Sequence, residues 1–240
     1  MVLGLAGATQ LLLVPGKSRG EEQPARMIGT LRAERILFLG NSLTYHGPKP
    51  DIKWAGNWGM AASSRDRDFV HLLAAAINSR TKGKLHLEPP SGKASSGIEN
   101  ILNIADILER GYADYQASRI KKQLQWKADL VIVQCGENVV AEGFRPGAFK
   151  KALQAMLDDL KASSNPHIFV TGNILNSNPK LDEIKRQVCA EDPTRRTFVD
   201  ISAYRQSDQV NGLFGHLNDQ GMKLIAETLL AAILQRASAQ

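Results

Sequence analysis

The amino-acid sequence predicts a three-layer α/β/α sandwich built on a parallel five-stranded sheet. Short apolar runs typical of strands alternate along the chain with longer segments whose apolar residues recur at helical spacing. Such alternation implies right-handed crossovers, which give a parallel sheet with helices on both faces. The length of 240 residues, with 43% hydrophobic and 22% charged residues, suits one large globular domain.

The predicted elements follow from these runs in chain order. The strands are expected over residues 36–39, 85–88, 130–134, 168–171 and 197–201. The helices are expected over residues 69–77, 98–108, 149–162, 181–189 and 219–235. Ser96 and Glu99 have the spacing of a capping box at the start of the second helix.

The first 31 residues differ in character from the rest. The segment "MVLGLAGATQLLLV" resembles the apolar part of a secretory signal but lacks its basic leader, and "PGKSRGEEQPAR" resembles a flexible linker. We therefore predict an N-terminal segment over residues 1–31 and one folded domain over residues 32–240. Secretion, a periplasmic location and a cytoplasmic location all stay open.

Charge and composition exclude several classes of function. Lys and Arg outnumber Asp and Glu by 30 to 24, but no aromatic-interleaved basic stripe accompanies this excess, so no nucleic-acid partner is expected. The sequence contains no run of about 20 apolar residues, so no membrane span is predicted. No His, Cys and Asp cluster has the spacing of metal ligands, so we predict no metal and no other cofactor. The oligomeric state stays open.

Four loops of the predicted sheet carry polar residues suited to chemistry. The loops after successive strands of a parallel sheet gather at one edge, where ligands bind. They contain "GNSLT", "PPSGKASSG" and "QCGENVV", and "GLFGHLNDQG" lies just before the last helix. A serine, a glycine loop, an asparagine and a histidine would therefore converge.

This set of residue types points to acyl transfer. A serine hydroxyl needs an adjacent base to act as a nucleophile, and histidine is the usual one. Backbone N–H groups and an asparagine amide can stabilise the oxyanion that forms, and losing one such donor typically costs ~10²–10³ in rate. Gly, Asn and Ser are also ordinary turn residues, so the order of all four loops matters more than any one of them.

These motifs resemble those of the SGNH hydrolases, also called GDSL esterases and lipases. "GNSLT" resembles the first block of that family, "GDSLT", with Asn41 in place of the aspartate. "SGKAS", "GEN" and "GHLNDQGMKLIAE" resemble its later blocks, in the family's order. The resemblance extends from about Ile36 to Ala232 and implies the SGNH-hydrolase fold, which has a flavodoxin-like sheet.

The resemblance also implies roles for individual residues. Ser42 would be the nucleophile and His216 the base. The backbone N–H groups of Ser42 and Gly92, with the side chain of Asn138, would form the oxyanion hole. Gly59 or Gly97 could replace Gly92 as the backbone donor. The residues predicted to bind substrate are Asn41, Trp58 and Glu137.

The sequence departs from the family pattern at the position of the third catalytic residue. The family usually has an aspartate three residues before the histidine, and Leu213 stands there. Either Asp208, Asn211 or Asp219 supports His216, or a backbone carbonyl orients the imidazole and a Ser–His dyad operates.

Taken together, these features predict a serine esterase without a cofactor. Its substrate would be a small-molecule or glycan ester, an acetyl ester in particular. The alternative is a protein of the same fold that binds carbohydrate or another ligand and has lost most of its catalytic power, because the expected aspartate is missing.

Overall fold

A computed structural model of the chain describes residues 25–81, 85–89, 99–205 and 211–239. Its main feature is a parallel five-stranded sheet with the strand order β4-β3-β5-β6-β7. These strands are β3 (Ile36–Gly40), β4 (Ile101–Asn103), β5 (Leu130–Gln134), β6 (His167–Thr171) and β7 (Arg196–Val199). A small antiparallel hairpin precedes them, with strands β1 (Met27–Ile28) and β2 (Leu31–Arg32).

Helices cover both faces of the sheet. The α-helices are α1 (Phe69–Asn78), α2 (Lys121–Trp126), α3 (Pro146–Ser164), α4 (Pro179–Ala190) and α5 (Asp219–Ser238), and a π-helix spans Ala105–Glu109. Short 3-10 helices lie at Pro50–Ile52, Arg65–Arg67, Tyr112–Asp114, Ala117–Ile120, Ser202–Tyr204 and Leu213–Gly215. Among the described residues, no helix is both long and apolar enough to cross a membrane.

Strand β3 shows how the sheet separates two hydrophobic layers. Its side chains alternate between the two faces, as the pleat of a strand requires. Ile36 and Phe38 pack with α1 and α5, whereas Leu37 and Leu39 pack with α3 and α4. All four are buried. The structure therefore confirms the predicted α/β class and its three layers.

The second predicted strand, over residues 85–88, is wrong. Residues 85–89 form no strand, and the edge position beside β3 belongs to β4. Instead of a neighbouring strand, the Asn100 side chain binds the backbone of this segment. Its Nδ2 donates to His86 O (2.7 Å), and its Oδ1 accepts from Glu88 N–H (2.7 Å). The predicted helix over 98–108 is also wrong, since that segment holds β4 and the π-helix.

The predicted domain boundary at residue 32 stays a prediction. The structure packs the hairpin of β1 and β2 against the end of α5, where Thr30 N–H and Oγ1–H both donate to Ala237 O. Ile28 and Leu31 of the hairpin are buried in the core. Residues 27–32 of the hairpin thus lie on the same folded body as the sheet.

The register of the sheet determines where the site forms. Gly40 at the end of β3 pairs with Gln134 at the end of β5 and with Asn103 at the end of β4. The loops that follow these three strands therefore leave the sheet side by side, at its carboxyl edge.

Candidate active site

Ser42 lies in a tight turn directly after β3. Thr44 N–H and Tyr45 N–H both donate to Asn41 O at 3.0 Å, and Leu43 N–H donates to Asn41 Oδ1, also at 3.0 Å. The turn needs glycine at position 40, because a Cβ there would lie 1.9 Å from Thr44 Oγ1. This local structure brings Ser42 out of the sheet at its carboxyl edge.

His216 contacts Ser42 directly. The distance between Ser42 Oγ and His216 Nε2 is 2.6 Å. On the other side of the ring, His216 Nδ1 lies 2.8 Å from Phe214 O. A carbonyl oxygen can only accept, so Nδ1 carries the proton and Nε2 is left as the acceptor for the Ser42 hydroxyl. This is the tautomer that a general base requires.

A strained turn holds the His216 loop. Phe214 has φ 59° and ψ 25°, in the left-handed region that bulky residues rarely adopt. The turn is closed by Gly212 N–H, which donates to His216 O (2.7 Å), and by His216 N–H, which donates to Leu213 O (3.0 Å). Strain of this kind is typical of functional sites. Here it turns the Phe214 carbonyl towards the imidazole.

The surroundings of His216 favour its neutral form. Burial of the ring lowers the pKa of His216 below the usual histidine value. The hydrogen bond to Phe214 O acts in the opposite direction, and the nearby His46 adds to the lowering.

The structure gives different results for the three side chains predicted to support His216. Asp219 is bound elsewhere, since its carboxylate accepts from Ser63 N–H (2.7 Å) and Ser63 Oγ–H (2.6 Å). Asn211 pairs with Leu217 in an isolated antiparallel bridge. Asp208 lies outside the described residues. Within the described part of the chain, the partner of His216 Nδ1 is the Phe214 carbonyl.

Asn138 lies in the loop after β5 and lines the same cavity as Ser42 and His216. Both ends of its amide are held. Its Oδ1 accepts from Arg110 Nη2 at 2.9 Å, and its Nδ2 donates to Glu109 Oε2. These two partners of opposite kind fix which end of the amide is nitrogen. The amide donates one of its two N–H bonds to Glu109 and has a second to offer.

Glu109, at the end of the π-helix, was not found from the sequence. Glu109 is 1% exposed, and it accepts hydrogen bonds from two segments, the turn after β3 and the loop after β5. Oε1 accepts from Asn41 Nδ2 (2.9 Å), from Glu137 N–H (3.0 Å) and from Gly136 N–H, while Oε2 accepts from Asn138. No sequence motif indicates it, although the asparagine at position 41 was a clue that the surroundings differ from the family pattern.

The backbone donors of the predicted oxyanion hole have different outcomes. Ser42 N–H has no acceptor among the described residues, so it is available. Gly59 N–H donates to Asp68 Oδ2 at 3.0 Å, so this backbone donor is already used. Gly92 and Gly97 lie outside the described residues, and their roles stay predictions.

The three residues predicted to bind substrate are not among the described residues that line the cavity. Asn41 is completely buried and contacts Glu109. The Glu137 carboxylate accepts from the backbone N–H groups of residues 174–176, and burial raises the pKa of Glu137 to about 6. Trp58 donates to Ala62 O (3.0 Å) and stacks edge to face on Trp54.

The cavity over Ser42 has a volume of about 590 Å³. Apart from Ser42, His216 and Asn138, its lining combines polar and charged side chains with apolar ones. The remaining lining residues are His46, Lys49, Ile52, Met60, Asn103, Ala105, Asp106, Arg110 and Phe214. Phe214, which stacks on Trp54, is the aromatic residue in the wall. The described residues contain no cluster of side chains that could hold a metal ion.

The chain shares its fold with solved structures that include carbohydrate esterases. TesA matches with a TM-score of 0.56 at 14% identity, over 84% of this chain and 98% of TesA. A carbohydrate esterase of family 3 from Talaromyces cellulolyticus matches with a TM-score of 0.51 at 14% identity, over 85% and 98% of the two chains. An active-site mutant of a family two carbohydrate esterase from Clostridium thermocellum matches with a TM-score of 0.54 at 16% identity. The match covers 85% of this chain but only 64% of that longer chain. No protein-family model and no curated protein sequence matches.

Proposed function

We propose that the protein is a serine ester hydrolase of the SGNH type, in which Ser42 is the nucleophile and His216 the general base. The single observation that carries the proposal is the 2.6 Å contact between Ser42 Oγ and His216 Nε2 in the correct tautomer. The fold that the chain shares with solved esterases supports it.

The first half of the reaction forms an acyl-enzyme. The Ser42 hydroxyl gives its proton to His216 Nε2 while Oγ bonds to the carbonyl carbon of the ester, whose π electrons move onto the oxygen. The Nε2 proton then passes to the departing alkoxide as the bond between the acyl carbon and the alcohol oxygen breaks. A water molecule repeats these steps with His216 as its base and releases the acid and Ser42.

The oxyanion of each tetrahedral intermediate needs hydrogen-bond donors close to Ser42. Ser42 N–H is available, and Asn138 Nδ2 has an N–H that is not used by Glu109. The Asn138 amide is held by Glu109 and Arg110 before a substrate binds, and donors fixed in advance need no reorganisation during a reaction. We propose these two donors, with Gly92 as a third.

The cavity suits a small acyl group on a polar alcohol. Its lining offers hydrogen-bonding groups from Lys49, Asn103 and Asp106, which match the hydroxyl groups of a carbohydrate. The solved structures that share the fold include carbohydrate esterases, in agreement with this substrate class. Acetyl esters of sugars are therefore our proposed substrates. In this proposal Asn41 and Glu137 support the loops of the site through their hydrogen bonds.

The proposal is tested by hydrolysis of p-nitrophenyl acetate and of a panel of acetylated sugars. We expect turnover by the wild-type protein, labelling of Ser42 by a fluorophosphonate, and loss of both in Ser42→Ala. Because Ser42 is small and lies in a surface turn, Ser42→Ala should unfold at the wild-type temperature. Wild-type protein without activity and without labelling would contradict the proposal.

A second candidate function has one observation in its favour. The group at His216 Nδ1 is a neutral carbonyl rather than a carboxylate, which suits a protein that binds a glycan in this cavity and has weak or no activity. This candidate predicts that Ser42→Ala with His216→Ala binds glycans as the wild type does, and that the two proteins do not differ in hydrolysis.

A further inference from the structure

Glu109 connects the turn that carries Ser42 with the loop that carries Asn138. One carboxylate accepts from the Asn41 side chain next to the nucleophile, from the backbone of Gly136 and Glu137, and from the Asn138 side chain. These groups are distant in sequence, and Asn41 lies 68 residues from Glu109. The geometry brings them together on a side chain that is 1% exposed.

The four partners of Glu109 are all donors, and they approach both of its oxygens. A carboxylate can accept at both oxygens, whereas an amide of the same shape has one acceptor and one donor end. Glutamine at position 109 would therefore place an NH₂ group either against the Asn138 amide nitrogen or against the N–H groups of Gly136 and Glu137. Neither orientation preserves the arrangement.

Arg110 completes the fixation of Asn138 from the opposite side. Its guanidinium donates to Asn138 Oδ1 at 2.9 Å and is held in turn by Asp106, at 2.7 Å. The amide is thus clamped between a carboxylate, which takes the nitrogen end, and a guanidinium, which takes the oxygen end. If the amide were reversed, its NH₂ group would face the Arg110 guanidinium, another donor. Its oxygen would face the Glu109 carboxylate, another acceptor.

We infer that Glu109 is a positioning residue, which with Arg110 holds the Asn138 amide so that its second N–H faces the oxyanion. This inference rests on the proposed function. It also explains the asparagine at position 41, because an aspartate there would bring a second carboxylate to within 2.9 Å of Glu109. Asn41 instead donates to Glu109 and ties the nucleophile turn to the same carboxylate.

The experiment measures kcat and KM for p-nitrophenyl acetate in Glu109→Gln, Asn138→Ala and the double variant. Glu109→Gln should lower kcat about tenfold to a hundredfold with KM changed less than threefold, since an oxyanion donor is misplaced and ground-state binding is kept. In the double variant, the loss in kcat should be clearly smaller than the product of the two single losses, because Glu109 acts in large part through Asn138. Losses that multiply would overturn the inference.

A matched control separates positioning from stability. Asp129→Asn changes another poorly exposed carboxylate that accepts a backbone N–H, from Arg35 at 2.9 Å, but at the amino edge of the sheet. It should lower the unfolding temperature without changing kcat. If Glu109→Gln does not fold, Arg110→Met replaces it in the same cycle with Asn138→Ala, because the Arg110 side chain is 54% exposed.

The role of Asn41 is tested in the same assay. Asn41→Asp should lower kcat in the wild-type background, and by a smaller factor in the Glu109→Gln background, where the opposing carboxylate is gone. An equal loss in both backgrounds would contradict the link between Asn41 and Glu109. If the wild-type protein hydrolyses no ester, the proposed function fails. If it does, and Glu109→Gln keeps kcat within threefold, only the positioning role fails.

Discussion

At the scale of single residues, His216 has a neutral partner where many serine hydrolases have a carboxylate. The Phe214 carbonyl fixes the same tautomer as an acid would, through the 2.8 Å contact with Nδ1. It carries no full charge, however, so in the proposed mechanism it would stabilise the imidazolium less than a carboxylate does. The left-handed backbone of Phe214 is part of this arrangement, because it turns the carbonyl towards the ring.

A dyad of this kind predicts that no nearby acid is essential. Asp219→Asn, Asn211→Ala and Asp208→Asn should each keep kcat within about tenfold of wild type, whereas His216→Ala should lose roughly a thousandfold or more. For Asp219 the reason is visible, since its carboxylate is bound by Ser63. Steady-state kinetics on the four purified variants checks this. A loss at any of the three positions as large as that at His216, in a folded protein, would require a triad.

The pH dependence of activity should reflect the ionisation of His216. The base must be neutral to accept the Ser42 proton, and burial lowers the pKa of His216, so the neutral form persists to lower pH than usual. The acid limb of kcat/KM should therefore lie below the ordinary histidine value of about 6.5. His46→Gln should move the limb to higher pH, because His46 contributes to the lowering. A limb that stays flat down to about pH 4, the range of carboxylates, would exclude histidine as the base.

At the scale of elements, the sequence predicted the long helices and the central strands, and it failed at one edge. The strands β3, β5 and β6 are continuous apolar runs buried on both faces, which is the pattern that buried parallel strands show. The edge strand β4 has only three residues, and the apolar spacing from Ile101 to Leu108 fits a helix equally well. Its pairing with β3 is a long-range contact that local periodicity does not encode.

The same limit applies to the elements that build the site. Ser42, Asn138 and His216 could be predicted because each follows a strand or precedes a helix in a recognisable motif. Glu109 could not, because it ends a short π-helix and all its partners lie 27 or more residues away in the sequence. The sequence also predicts Trp58 as a substrate-binding residue, but Trp58 is not among the described residues that line the cavity. Both Trp58 and Phe214 pack on Trp54, but only the fold shows that Phe214 lies on the cavity side.

At the scale of the whole molecule, the helix α5 links the candidate site to the N-terminal hairpin. His216 lies just before the start of α5, and Ala237 near its end accepts two hydrogen bonds from Thr30. Ala237 comes 18 residues after Asp219, which is about 27 Å at the rise of an α-helix. The hairpin therefore belongs to the hydrophobic core but is remote from the chemistry.

This separation predicts that a change in the hairpin alters stability and leaves catalysis intact. Leu31 is 2% exposed and packs in the core with α5, so Leu31→Ala should lower the free energy of unfolding by about 2–5 kcal/mol. Met27→Ala is the matched control, because Met27 lies in the same hairpin and is 42% exposed, and it should change stability by no more than about 0.5 kcal/mol. Urea denaturation measures both, and kcat is compared at a temperature at which each variant is folded. Equal effects of the two changes would place the hairpin outside the core. A lower kcat in folded Leu31→Ala would instead show that α5 transmits the disturbance to His216.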